Sequence, residues 1–134
     1  MADGTRAYGR VYRLSGSGPF ALDFGLRDQM QRAAVSVMSN IAEGFDSRTP
    51  IMFREFLGRA KASSGEVRSQ AYIAVDIGYI EEHQTAKLLE LTDKCSRQIK
   101  RLMDYLSTRS EPNAQRATRN TSADDHAHGR RTPP

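Results

Sequence analysis

The sequence predicts an all-α protein: an antiparallel up-down four-helix bundle with a short first helix and a disordered C-terminal tail. Three observations carry that expectation. Apolar residues recur at three- and four-residue steps in successive stretches, and no stretch alternates with the period of two that a half-buried strand needs. The stretches are joined by short links, which suits antiparallel neighbours. From Ser107 onward Ala is the only apolar residue type, so that segment cannot bury enough surface to offset its ordering entropy. The domain reading is therefore a bundle over residues 1–106 and a polar, basic tail over 107–134.

Helix one is expected within Met1 to Leu14, where Ala7, Val11 and Leu14 share a face beside Tyr8 and Tyr12. Gly4 and Gly9 weaken it by about 1 kcal/mol each relative to Ala. Ser15-Gly16-Ser17-Gly18-Pro19 is a turn by composition. It is not a phosphate loop, since no strand precedes it and no Gly-Lys-Ser or Gly-Lys-Thr follows. Helix two runs from Phe20 or Asp23 to Glu43, with Asp23 suited to cap its start and Gly44 expected to close it in the left-handed conformation. Its apolar face is Leu26, Met30, Ala33, Ala34, Val37, Met38, Ile41 and Phe45. Beside it runs a second row, Gln29, Arg32, Ser36, Asn40 and Glu43. Ser and Asn are poor helix formers, so this row is expected to touch another helix, a loop or another subunit rather than water.

Thr49-Pro50 restarts the chain as helix three, since Thr caps well and Pro is favoured at the first helical position. Its inner stripe from Phe53 to Val75 is small in its middle (Ala60, Ser64, Val67, Ala71), which predicts a tight seam. Ile73, Ile77 and Ile80 fall on the opposite side and are expected to meet either a second copy of the chain or the first helix. Gly78 ends the helix. Helix four starts near Glu81 and buries Leu88, Cys95, Ile99, Leu102 and Leu106, with Lys87, Lys94, Arg97, Lys100 and Arg101 on its outer side.

Composition excludes several classes. No apolar run approaches the roughly 20 residues needed to span a bilayer, and no basic start followed by an apolar block suggests secretion. The single Cys95 forms no internal disulfide, which fits a cytoplasmic location. It lies on the apolar stripe and reads as a small core residue. His126 and His128 with Asp124 and Asp125 are ligand-like in composition but fall in the tail, and we read neither a metal nor a cofactor site. Ser36, Asn40 and Glu43 share a face, yet a nucleophile needs a base within reach and a third group to orient it; no such set is visible, so no catalytic residue is assigned. Asn40 and Glu43 are instead expected to bond backbone groups of the Asp46–Thr49 turn or a neighbouring subunit.

Arg32-Ala33-Ala34-Val35-Ser36-Val37 and Asn40-Ile41-Ala42-Glu43-Gly44 carry a resemblance, continued by Phe53, Phe56-Leu57, Ala60-Lys61, Ser63, Gly65-Glu66 and Gly78-Tyr79-Ile80. On these residues the chain resembles the small bacterial four-helix bundle protein family. That family includes proteins encoded in intervening sequences of large-subunit ribosomal RNA genes and the accessory protein of diversity-generating retroelements. The resemblance implies a bundle that assembles as a ring, typically a homopentamer, with nucleic-acid binding in some relatives. It also implies structural roles for Arg32, Ser36, Asn40, Glu43 and Gly44. Two features depart from it: Ala62-Ser63 stands where the family has Gly-Ser, and the first helix is short.

The functional expectation is a homo-oligomeric protein without catalytic activity, in which Lys87, Lys94, Arg97, Lys100 and Arg101 make weak, sequence-nonspecific contacts to RNA or DNA phosphates, or which serves as an adaptor beside a nucleic-acid enzyme. The formal charge of +4 permits this without demanding it. Base readout is not expected, since no aromatic stacking platform is visible in the sequence. The rival expectation is a protein–protein scaffold that binds no nucleic acid.

Overall fold

A computed structural model describes the backbone of residues 2–124 and the side chains of residues 2–109. It contains five helices in the order α1 (Ala2–Ser15), α2 (Gly18–Leu22), α3 (Phe24–Asp46), α4 (Pro50–Ile77) and α5 (Glu82–Asp124), and no strand among the described residues. The four longer helices form the up-down bundle: α3 packs on α4, α4 on α5, and α1 on both α5 and α3. No helix among the described residues is long and apolar enough to cross a membrane.

The residues on the apolar stripes are the ones buried. Met30, Ala34 and Val37 of α3, Leu57, Ala60 and Val67 of α4, and Leu88, Cys95 and Ile99 of α5 form one core with Ala7 and Val11 of α1. Burying each Leu or Ile side chain contributes about 1.5–3 kcal/mol. One buried polar path crosses it. Tyr8 donates to Ser64 Oγ (3.0 Å), which pairs with Ser96 Oγ (3.2 Å), linking α1, α4 and α5.

Local signals set most boundaries. Asp23 Oδ1 accepts from Leu26 N (3.1 Å) as the α3 cap, and Thr49 Oγ1 accepts from Met52 N (3.1 Å) ahead of Pro50. Gly78 adopts φ 91° and closes α4 with Gly78 N bonded to Val75 O and Tyr79 N to Ala74 O, the paired pattern of a Schellman cap. The expected second helix divides at Asp23, whose φ of −84° and ψ of 82° are not helical. The short α2 seats its buried Phe20 ring 5.2 Å from that of Tyr79.

Two expectations are corrected. Gly44 is not a left-handed cap. It lies inside α3, which runs to Asp46 and ends at Ser47. Gly18 and Gly78 are the described glycines with positive φ. Gly44 is required by space instead: a Cβ there would sit 2.7 Å from Phe53 Cδ2 and 3.4 Å from Phe56 Cβ. The isoleucine trio also splits. Ile73 and Ile77 are exposed, whereas Ile80 is buried at 6% exposure in this chain's own core. The Gly78 turn breaks the helical spacing, so Ile80 does not continue the face that Ile73 and Ile77 share.

The expected tail is described in part. The α5 backbone continues as helix to Asp124, beyond Leu106, the last buried residue among those with described side chains. Extending a helix already anchored by packing adds one backbone bond per residue fixed, so propagation does not require a core. Residues 125–134 lie outside the described residues.

Candidate functional site

The registers of the bundle place two candidate surfaces. On the α3–α4 seam, Gly44 lies against Phe53 and Phe56, while Ser36 Oγ pairs with Ser63 Oγ at 2.9 Å. The two helices are therefore antiparallel, and Ser against Ser lets them approach closely. Asn40 Nδ2 donates to Ser36 O (2.8 Å) and Ser36 Oγ (3.1 Å). The expectation that Asn40 bonds the Asp46–Thr49 turn is thus corrected: an i−4 carbonyl on its own helix is nearer. That turn is held by Ser47, which bonds Gly44 O through both its N (3.1 Å) and its Oγ (2.5 Å). Glu43 is exposed and makes no bond to the turn. The small hydroxyls leave an open groove of about 520 Å³ outside the seam, lined by Gln29, Arg32, Ala33, Ser36, Ser63, Glu66 and Gln70. Gln70 Oε1 is buried without a hydrogen-bond partner among the described residues.

The second surface is α5. Lys87, Lys94, Arg97, Lys100 and Arg101 are all exposed, as the apolar stripe on the other face requires. Glu90 lies 3.9 Å from Lys87 Nζ and 3.8 Å from Lys94 Nζ, in open solvent where such pairs contribute little. Asp93 is occupied by Arg68 of α4 at 2.7 Å. Among the described residues no carboxylate lies within ion-pairing distance of Arg97, Lys100 or Arg101.

One exposed aromatic was not singled out in the sequence. Tyr105 is 51% exposed on α5, with Arg109 Cζ 5.0 Å from its ring centroid. It follows Arg101 by four residues, and that spacing was the available signal. No group of three His, Cys, Asp or Glu among the described residues could hold a metal, and His126 and His128 lie outside them. Cys95 is buried, and burial pushes its thiol above the usual value, away from the reactive thiolate.

The family model described as 23S rRNA-intervening sequence protein matches residues 3–101, most of the helical bundle. The chain belongs to that family. Of the residues to which the resemblance gives structural roles, Arg32 and Ser36 line the groove beside the α3–α4 seam, Asn40 bonds Ser36, Gly44 lies against Phe53 and Phe56, and Glu43 is exposed. A crystal structure of a protein of unknown function from the S23 ribosomal protein family of Bacteroides thetaiotaomicron is similar, with a TM-score of 0.70 at 15% identity over 76% of this chain and 95% of that one. At that identity the likeness is one of fold. No curated protein matches the chain in sequence.

Proposed function

We propose that this protein is a cytoplasmic, non-enzymatic, homo-oligomeric nucleic-acid-binding or accessory protein whose α5 row holds RNA or DNA by its phosphates. The observation that carries this reading is the run Arg97, Lys100 and Arg101: exposed cations with no carboxylate partner among the described residues. Phosphate contact by such side chains releases condensed counterions and needs no base readout. Assembly of several copies, with Ile73 and Ile77 as the candidate contact, would repeat the row, so that weak contacts add by avidity.

Fluorescence anisotropy against salt tests the phosphate reading. Affinity should fall steeply with salt, and replacing Arg97, Lys100 or Arg101 by Ala should reduce the slope of log K against log salt by about 1 each. Binding indifferent to salt, or unchanged by all three substitutions, defeats it. Sedimentation tests assembly: Ile73→Glu with Ile77→Glu should yield smaller species with a near-unchanged melt.

A scaffold reading rests on a different observation. Phe45, Ile51 and Met52 are exposed at 60%, 62% and 43% around the α3–α4 turn, an apolar tip suited to a protein partner. A pull-down that retains its partners after nuclease treatment would favour it.

A further inference from the structure

The basic row of α5 ends in an aromatic ring. Lys87, Lys94 and Arg101 are spaced by seven residues and Tyr105 follows by four, so the four lie within an arc of about 40° on the helix. Gln98 Nε2 donates to Asp3 Oδ2 (3.4 Å), and Gly4 lies beside Cys95, so α1 runs antiparallel to α5 and its first turn is level with Gln98. Tyr105 stands seven residues, two turns, past Gln98 on that same stripe. Half of its surface stays open with the Arg109 guanidinium against the ring.

We propose that this stretch is a single-strand site: the cations hold phosphates and an unstacked base stacks with Tyr105 and the Arg109 guanidinium that lies over its ring. The proposal rests on the phosphate reading of α5 given above and adds a substrate class to it. Every base has a π-face, so such a platform tolerates any sequence. In a duplex those faces are stacked on one another and only base edges reach the grooves. The cations therefore attract either form, while Tyr105 favours the unpaired one. Single-stranded RNA and DNA share this chemistry.

The test uses the full chain with labelled oligouridine, oligothymidine and a blunt DNA duplex, each about 20 nucleotides long, a length that exceeds the few nucleotides such sites occupy. At one salt concentration, Tyr105→Ala should weaken both single strands about five-fold or more and leave the duplex unchanged, while Tyr105→Phe restores single-strand affinity. In a Tyr105→Trp variant, oligouridine should quench the indole emission, a signal that a purely structural tyrosine would not give. Lys94→Glu with Arg101→Glu should weaken all three ligands. If those reversals change nothing, the phosphate reading fails and takes this inference with it. If they weaken binding but Tyr105→Ala weakens no ligand, or weakens single strands and duplex equally, the single-strand inference alone fails. A changed sedimentation coefficient for Tyr105→Ala would assign the ring to a contact between copies and likewise overturn it.

Discussion

At Gly44 an added methyl would stand 2.7 Å from Phe53 Cδ2 and 2.9 Å from Phe53 Cε2, a ring that itself packs 4.9 Å from that of Phe45. The ring already packs against Phe45, so Gly44→Ala should overpack the seam and destabilise by about 1–3 kcal/mol, read as a fall in melting temperature of at least ~4 °C. Gly65 is the contrasting case. It is exposed in the interior of α4 with nothing within 4 Å of a built Cβ, so Gly65→Ala should raise stability by up to about 1 kcal/mol. Equal melting for the two variants would defeat the close-approach account. Tyr8 sets a pH dependence. Burial raises its phenol above the ordinary value of 10.0, and burial likewise raises the Cys95 thiol above 9.0. Both groups are held neutral in the fold, so their contribution is complete below those ordinary values and is lost as pH rises past them towards the folded-state values. Urea midpoints should thus fall above about pH 9–10. Tyr8→Phe should lower stability near neutrality by about 1 kcal/mol, through the lost bond to Ser64, and make the alkaline fall shallower.

Among the elements, the joints carry more than their length suggests. Asp23 uses one carboxylate oxygen to cap α3 at Leu26 N and the other to accept from Tyr79 Oη at 2.9 Å. One side chain thereby ties the start of α3 to the turn between α4 and α5, over the plug formed by Phe20. Asp23→Ala should cost about 1–2 kcal/mol, more than an ordinary cap of its exposure, and Tyr79→Phe less. A double-mutant cycle between them should give a coupling of at least ~0.5 kcal/mol in denaturant unfolding; additivity would show that the bond contributes nothing. The length of α1 matters in another way. At 14 residues it spans about 21 Å beside the 28 residues and about 42 Å of α4. Residues 2–15 of α1 therefore flank about half of that span.

For the whole molecule, stability should belong to the packed part of the chain. Leu106 is the last buried residue among those with described side chains, so truncation after Arg109 should shift the melting temperature by no more than ~2 °C, whereas Leu57→Ala in the fully buried core should cost about 2–5 kcal/mol. A large loss on truncation would mean that the helix beyond Leu106 is bound to the bundle. The predicted behaviour towards nucleic acid also belongs to this scale. On the proposed phosphate reading, a row of cations on one helix would give weak, salt-sensitive contacts, and repetition across copies would raise their affinity.

The fold was legible because helical periodicity is local: the stripes of α3, α4 and α5, the Asp23 and Thr49 caps and the Gly78 stop follow from residues within a few positions of one another. The exposure of the α5 cations followed in the same way, as the reverse of an apolar face. What lay beyond reach depends on which distant residues the bundle brings together. Gly44 reads as a cap until Phe53 is seen against it, and Ile80 reads as one of a trio until the Gly78 turn sends it inward. Tyr105 carries no sequence signal beyond its spacing from Arg101, and the packed chain shows it exposed beside Arg109. Spacing along one helix fixes the direction a side chain faces, but whether a neighbour stands there is decided by the register between helices, and that register exists only in the packed state.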